Sequence, residues 1–239
     1  MNQRLSAVVH AIRVSRLTAL QRSSLSGLVS EERRSRMARF VRQEDADRCL
    51  LAGLLIRYGA ERLFGIRHEE MTLSTNTYGK PSFARYPDIF FNAAHSGDWV
   101  VCAWDSAPIG VDVEQLQEID LSIADRFFSR PECAMLEEQP EAQRLELFYQ
   151  LWALKESFIK QVGKGLSIPL DAFAILPKPG GIELTVLQPS AQAQGPLSFR
   201  LYELQADGER YAAALCATHD AMPDAMTVVE LEQLVACFT

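Results

Sequence analysis

The chain has no uninterrupted apolar run near the roughly 20 residues needed to cross a bilayer. Its opening stretch, MNQRLSAVVHAIRVSRL, is apolar but broken by Arg4, His10, Arg13 and Arg16. It therefore lacks the apolar centre of roughly 7–15 residues that marks a cleaved signal peptide, and a cytoplasmic location is expected. Cysteine is sparse. Cys49, Cys102, Cys133, Cys216 and Cys237 are odd in number, scattered and free of any C-x-x-C pair. That spacing argues against a disulfide framework and a thiolate zinc site, and leaves each as a small apolar residue. Positive charge is also short: 24 Lys and Arg against 31 Asp and Glu give a net charge of −7. Non-specific nucleic-acid binding, which needs a basic surface to displace counterions, is disfavoured. Repeats and low-complexity linkers are absent as well.

What is present is an ordinary globular composition over 239 residues, 48% hydrophobic and 23% charged. That length supports one large domain or two small ones. The charge is unevenly spread. Residues 33–42 (RRSRMARFVR) carry five arginines and no acid. A local basic patch on an acidic chain points to a small, highly anionic ligand rather than a long polyanion.

Helix and strand signals are mixed without regular βαβ alternation, so the class is α+β. Ser30-Glu31-Glu32 has the cap and acidic first turn of a helix start. The period of Leu50, Leu51, Leu54, Leu55 and Tyr58 predicts a helix from about Glu44 to Leu63. Thr77 to Ser82 reads as a loop punctuated by glycine and proline. Trp99–Trp104 predicts a strand, turned at Asp105–Pro108 into a hairpin with the segment that follows. Ser129-Arg130-Pro131-Glu132 is a capping box, and a further helix is expected over Glu141–Val162, ending at glycine. LSFRLYEL and RYAAALCA flank an Asp-Gly reverse turn.

Two stretches carry candidate chemistry. In I-G-V-D-V-E-Q (109–115), strict alternation puts Ile109, Val111 and Val113 on one strand face and Gly110, Asp112 and Glu114 on the other. The two carboxylates then lie roughly 6–7 Å apart, either solvated at an edge or flanking something positive. In FYQLWALKESFIKQVGKGL (148–166), Phe148, Trp152, Ile159 and Val162 mark a core-facing stripe that also holds Glu156. Glu156 and Lys160 form an ordinary i,i+4 surface pair or, if turned inward, a desolvated carboxylate in need of a cation. Three carboxylates meeting at one point would call for a hard divalent ion, Mg²⁺ before Mn²⁺, and with it a phosphate-bearing ligand. Arg33, Arg36, Lys80, His95 and Lys160 are candidate partners for those phosphates. Taken alone, Lys80 reads equally as a solvated loop lysine and His95 as a capping histidine.

I-G-V-D-V-E together with L-W-A-L-K-E-S-F-I-K, preceded in order by Y-G-K-P-S-F and F-N-A-A-H-S-G-D-W, resembles the signature of the 4′-phosphopantetheinyl transferases. It is most similar to the larger, pseudo-dimeric type that activates surfactin synthetase, over about Ser30 to Leu170. The resemblance implies transfer of the phosphopantetheine arm of coenzyme A to a serine of a carrier protein, releasing adenosine 3′,5′-bisphosphate. It implies two similar α/β halves related by a pseudo-twofold, here 1–106 and 107–239, with the active site in the cleft between them. Asp112, Glu114 and Glu156 match the Mg²⁺ ligands. Glu156 also matches the proposed general base, acting directly or through a water. Lys160 matches the residue that neutralises the leaving phosphate, and His95 and Lys80 match contacts to the coenzyme's phosphates, His95 to the 3′-phosphate. Arg33 and Arg36 stand where the family commonly has lysines on that phosphate, and Ala94 where serine is common.

The implied partners are acyl or peptidyl carrier proteins of fatty acid, polyketide or nonribosomal peptide synthesis, and the implied state is a monomer. Lys164–Phe173, with Leu166, Ile168 and Leu170, is the candidate carrier docking stretch, these residues being equally readable as core. Two other readings use the same residues: a metal-dependent hydrolase of nucleotide diphosphates, and a non-catalytic coenzyme A-binding protein.

Overall fold

The computed structural model describes residues 6–14 and 17–238. Arg4 and Arg16, which interrupt the apolar opening stretch, lie outside them. A strand buried on both faces, β1 (Val8–Arg13), opens the described chain, and three helices follow: α1 (Ala19–Ser26), α2 (Glu31–Met37) and α3 (Gln43–Phe64). Ser30 caps α2, its side chain accepting from the Arg33 amide. Next come a short pair of strands, β2 (Leu73–Thr75) and β3 (Pro81–Phe83), and a long pair, β4 (Phe90–Ser96) and β5 (Trp99–Asp105). The chain continues through β6 (Gly110–Gln115), α4 (Ala124–Phe127), α5 (Arg130–Glu138) and α6 (Glu141–Val162). It ends with β7 (Phe173–Lys178), β8 (Gly181–Val186), β9 (Ser198–Ala206), β10 (Glu209–Ala217), β11 (Thr227–Val228) and α7 (Leu231–Ala236).

Two sheets organise the molecule, in the orders β11-β1-β5-β4 and β6-β10-β9. Each carries a 22-residue helix. Leu50, Leu51, Leu54 and Leu55 of α3 are fully buried in a core with Val100, Cys102 and Trp104 of β5. Leu154 and Phe158 of α6 are buried with Ala214 and Cys216 of β10. Between the sheets lies a shared core, where Val9, Ala11, Val101 and Ala103 meet Ile109, Val111, Val113, Ala213 and Leu215. The β9–β10 hairpin turns at Asp207 (φ 50°) and Gly208 (φ 86°), as the Asp-Gly pair predicts.

One expectation is corrected. β5 and β6 are not a hairpin. Both edges of β5 are occupied, by β1 and β4, and β6 pairs instead with β10, Asp112 opposite Ala214. The hairpin lies one turn earlier, between β4 and β5, where Gly97 adopts φ 49°. The C-terminal segment returns to the first sheet. β11 pairs in parallel with β1, and Val229 and Leu234 bury their apolar side chains in the α3 core.

Candidate active site

The alternation in β6 is realised: Ile109, Val111 and Val113 face the shared core, and the Gly110–Asp112–Glu114 face lies beneath α6. Gly110 permits that approach. A Cβ built there would sit 2.1 Å from the Ser157 carbonyl oxygen and 2.3 Å from the Gln161 amide nitrogen. With helix and strand in backbone contact, Lys160 reaches across and its Nζ lies 2.5 Å from Asp112 Oδ1. Asp112 is 3% exposed, and its Oδ2 has no hydrogen-bond partner. Burial raises its pKa and Glu156 adds to the rise, while Lys160 opposes it. The Glu114 carboxyl accepts from Ser96 Oγ at 3.2 Å, and its pKa is likewise raised by burial and by Asp112. Burial works to lower the pKa of Lys160, but the negative charges of Asp112, Glu156 and Glu114 outweigh it and the net shift is upward.

α6 is buried almost all round, and the stripe predicted to face the core is mixed. Phe148 and Ile159 are buried, whereas Trp152, Glu156 and Lys160 form the less buried i,i+4 line. Glu156 thus stands at an accessible position within electrostatic reach of both β6 carboxylates.

A group of basic side chains meets this acidic line. His95 is exposed on β4; crowding by the protein lowers its pKa, and Arg48, Lys160 and Arg36 lower it further. Arg48 ties α3 to the β4–β5 turn, donating to the Gly97 carbonyl at 2.8 Å and to Asp45. Arg33 leans on α3 over Gly53 and donates to the Cys49 carbonyl at 2.9 Å, whereas Arg36 is exposed. Lys80 is engaged by the main chain. Its Nζ donates to the main-chain carbonyls of Lys160, Ile109 and Gln161 at 2.6, 3.1 and 3.1 Å. An ammonium has three hydrogens, so none is left for a phosphate. Burial among neutral acceptors pushes its pKa down to about 8.

The three carboxylates do not close on one point. Among the described residues, no group of three or more Asp, Glu, His or Cys side chains is placed to hold a metal ion. The β6 carboxylates nevertheless suit a hard cation. Asp112 keeps an unpartnered buried oxygen, Glu114 is crowded by a second carboxylate, and Mg²⁺ takes one or two carboxylates with water and phosphate oxygens rather than a full protein cage.

A family model described as the 4′-phosphopantetheinyl transferase superfamily matches residues 108–216. A second, described as 4′-phosphopantetheinyl transferase, N-terminal, matches residues 18–107. The chain is 40% identical over 208 residues to 4′-phosphopantetheinyl transferase Sfp of Bacillus subtilis (strain 168), covering 87% of this chain and 90% of that protein. It is 36% identical over 216 residues to 4′-phosphopantetheinyl transferase psf-1 of Bacillus pumilus, covering 90% of each. The chain belongs to the 4′-phosphopantetheinyl transferase superfamily. It is an enzyme of that class, of the Sfp type. Among solved structures, the holo-[acyl-carrier-protein] synthase of Thermotoga maritima aligns with a TM-score of 0.37 at 21% identity, over 47% of this chain and 64% of that one.

Sequence reading of the transferase missed two sets of residues. Ser96 acts on the site from the β4–β5 turn, marked in the sequence by Ser-Gly-Asp, and Arg48 holds that turn from α3. Lys155, next to Glu156, is 1% exposed and donates to both oxygens of the sealed Glu132 at 2.7 and 2.6 Å and to the Phe173 carbonyl at 2.9 Å. Glu132 also accepts from the amides of Ser129 and Ile175, so α5, α6 and β7 meet at one ion pair. The capping box that held Glu132 was the available signal. Of the three apolar residues named in the stretch expected to dock carriers, Leu166 is well exposed, whereas Ile168 and Leu170 are buried in the core beneath α6. No helix among the described residues is long and apolar enough to cross a membrane.

Proposed function

We propose that the transferase moves 4′-phosphopantetheine from coenzyme A to a serine of an acyl or peptidyl carrier protein. The carriers would come from fatty acid, polyketide or nonribosomal peptide synthesis. The observation that supports this most is the Asp112–Lys160 pair, with Glu114 and Glu156 in electrostatic reach and Arg36, Arg48 and His95 beside it. Phosphoryl transfer needs positioning and charge stabilisation more than covalent chemistry, and clustered cations beside carboxylates are the parts it uses. Asp112 and Glu114 would hold Mg²⁺ (or Mn²⁺), with Glu156 facing them from α6, and the ion when bound would neutralise charge on the coenzyme's pyrophosphate. Glu156 accepts the proton of the carrier serine, directly or through a water. The serine oxygen bonds to the phosphorus bearing the pantetheine arm as the bond to the second phosphate breaks. Lys160 neutralises that leaving phosphate, and adenosine 3′,5′-bisphosphate departs. His95, Arg36 and Arg33 bind the 3′-phosphate.

We read the two halves as related by a pseudo-twofold, since each sets one 22-residue helix on three antiparallel strands, β1-β5-β4 in one and β6-β10-β9 in the other. A monomer follows from that reading, because the cleft is complete within one chain, and the cytoplasmic location is proposed from the sequence alone. The test is direct. With coenzyme A and Mg²⁺, an apo carrier protein gains one phosphopantetheine mass on one serine, and Glu156→Gln abolishes the gain. No gain across a panel of carriers, or full activity in that variant, would refute the reading. Release of adenosine bisphosphate without a carrier would favour the hydrolase.

A further inference from the structure

Lys80 belongs to the β2–β3 loop in the first half, yet its ammonium lies under the end of α6. Two of its three acceptors, the carbonyls of Lys160 and Gln161, are in the last turn of that helix. Last-turn carbonyls have no intrahelical donor, and the helix dipole favours a cation there. The third acceptor, the Ile109 carbonyl, immediately precedes β6. Nearby, Asn76 Nδ2 donates to the Gly163 carbonyl at 2.8 Å, just past the helix. Asn76 Oδ1 accepts the amides of Tyr78 and Lys80, both at 2.9 Å, and the Asn76 amide donates to the Lys80 carbonyl at 3.0 Å. The loop is thus closed on itself before it reaches the helix.

We propose that Lys80 is a positioning residue: from the first half it ties the end of α6 to the start of β6 and so holds Lys160 against Asp112. The residue whose carbonyl accepts Lys80 is the residue whose own ammonium meets Asp112, so the tie acts within one residue of the pair. The effect on rate rests on the transferase reading above, but the tie itself does not, because it exists without any ligand. This assigns Lys80 a different role from that of a phosphate contact.

The two roles separate in experiment. Lys80→Met keeps the aliphatic stem and removes the three donors. In the absence of coenzyme A its melting temperature is expected to fall by about 5 °C or more, because three buried carbonyls lose their donor. At a temperature where both proteins are folded, kcat is expected to fall at least about tenfold, as a misplaced Lys160 predicts, with the KM for coenzyme A within about twofold. Asn76→Ala, which leaves Lys80 intact but releases the loop from Gly163, is the milder variant should Lys80→Met fail to fold, and is expected to shift both quantities less in the same direction. An unchanged ligand-free melting temperature, or a tenfold rise in KM at unchanged kcat, would overturn the proposal and return Lys80 to the phosphates. If no carrier is modified at all, the melting arm still decides whether the tie exists.

Discussion

Gly110→Ala adds one methyl group at the point where β6 and α6 touch. The new Cβ would lie 2.1 Å from the Ser157 oxygen, 2.3 Å from the Gln161 nitrogen and 2.9 Å from the Gln161 Cα. All three are backbone atoms of the helix, so no side chain can swing aside. An unstrained Cβ contact needs about 3.4 Å or more, and the helix must therefore retreat by about 1 Å. Overpacking of this kind typically costs 1–3 kcal/mol. Gly110 is in ordinary strand conformation, so alanine adds no backbone strain and recovers roughly 0.4–1 kcal/mol by restricting the unfolded chain. A net loss of about 1 kcal/mol is expected, or roughly 2–4 °C in melting temperature for a chain of this size.

The effect on rate should be larger than the effect on stability. A displacement of about 1 Å at a reacting centre can cost on the order of 100-fold, and the retreat separates Lys160 and Glu156 from Asp112. Thermal unfolding and steady-state carrier modification, assayed well below the variant's melting temperature, measure the two effects separately. A variant with wild-type kcat would show that the β6–α6 spacing does not set the rate. Wild-type stability would show that the contact itself is not rigid.

The remaining predictions concern charge. His10 is 7% exposed against Tyr58 and Trp104, with Nδ1 unpartnered, and burial lowers its pKa to about 4. Between its ordinary pKa of 6.5 and about 4 the unfolded chain binds a proton that the folded chain refuses. The contribution of His10 is therefore full above about pH 6.5 and falls by roughly 3 kcal/mol toward pH 4, and the difference in stability between wild type and His10→Phe across that range measures it. Lys155→Met leaves Glu132 charged and sealed, at a cost of about 3–5 kcal/mol. The double variant with Glu132→Gln should be more stable than Lys155→Met alone, and urea titration of the double-mutant cycle measures the coupling. Glu114→Gln should reduce carrier modification about 100-fold or more while leaving the metal-free melting temperature equal or higher, because burial and Asp112 make that charge costly to hold. Chelation should abolish activity in the wild type, and added Mg²⁺ should restore it.

Local signals in the sequence were followed closely. The helix expected over Glu141–Val162 spans those residues, Ser129 and Glu132 form the predicted capping box, and β6 alternates as its residues require. These features depend on neighbours within a turn or a pleat. What the sequence hid depends on partners far along the chain. The strand that pairs with β6 lies about a hundred residues away, and nothing in I-G-V-D-V-E-Q distinguishes β10 from β5 as its neighbour. The stripe on α6 was misjudged for a related reason. A helix buried nearly all round has no single apolar face, and its accessible line shows only where another element is missing.

The three lysines at the site make the same point in chemical terms. Lys155 and Lys160 are five residues apart on one helix, and Lys80 comes from a distant loop, yet all three ammonium groups point into the protein. Lys155 is 1% exposed and fully met by a carboxylate and a carbonyl, so moving it would strand Glu132. Lys80 is met by three neutral carbonyls, and moving it would strand the end of a helix. Lys160 alone keeps 28% of its side chain exposed, and its one partner, Asp112, retains a second oxygen without a donor. Of the three, it is the one that can turn toward an incoming phosphate without breaking the framework that holds it, while the other two keep that framework still.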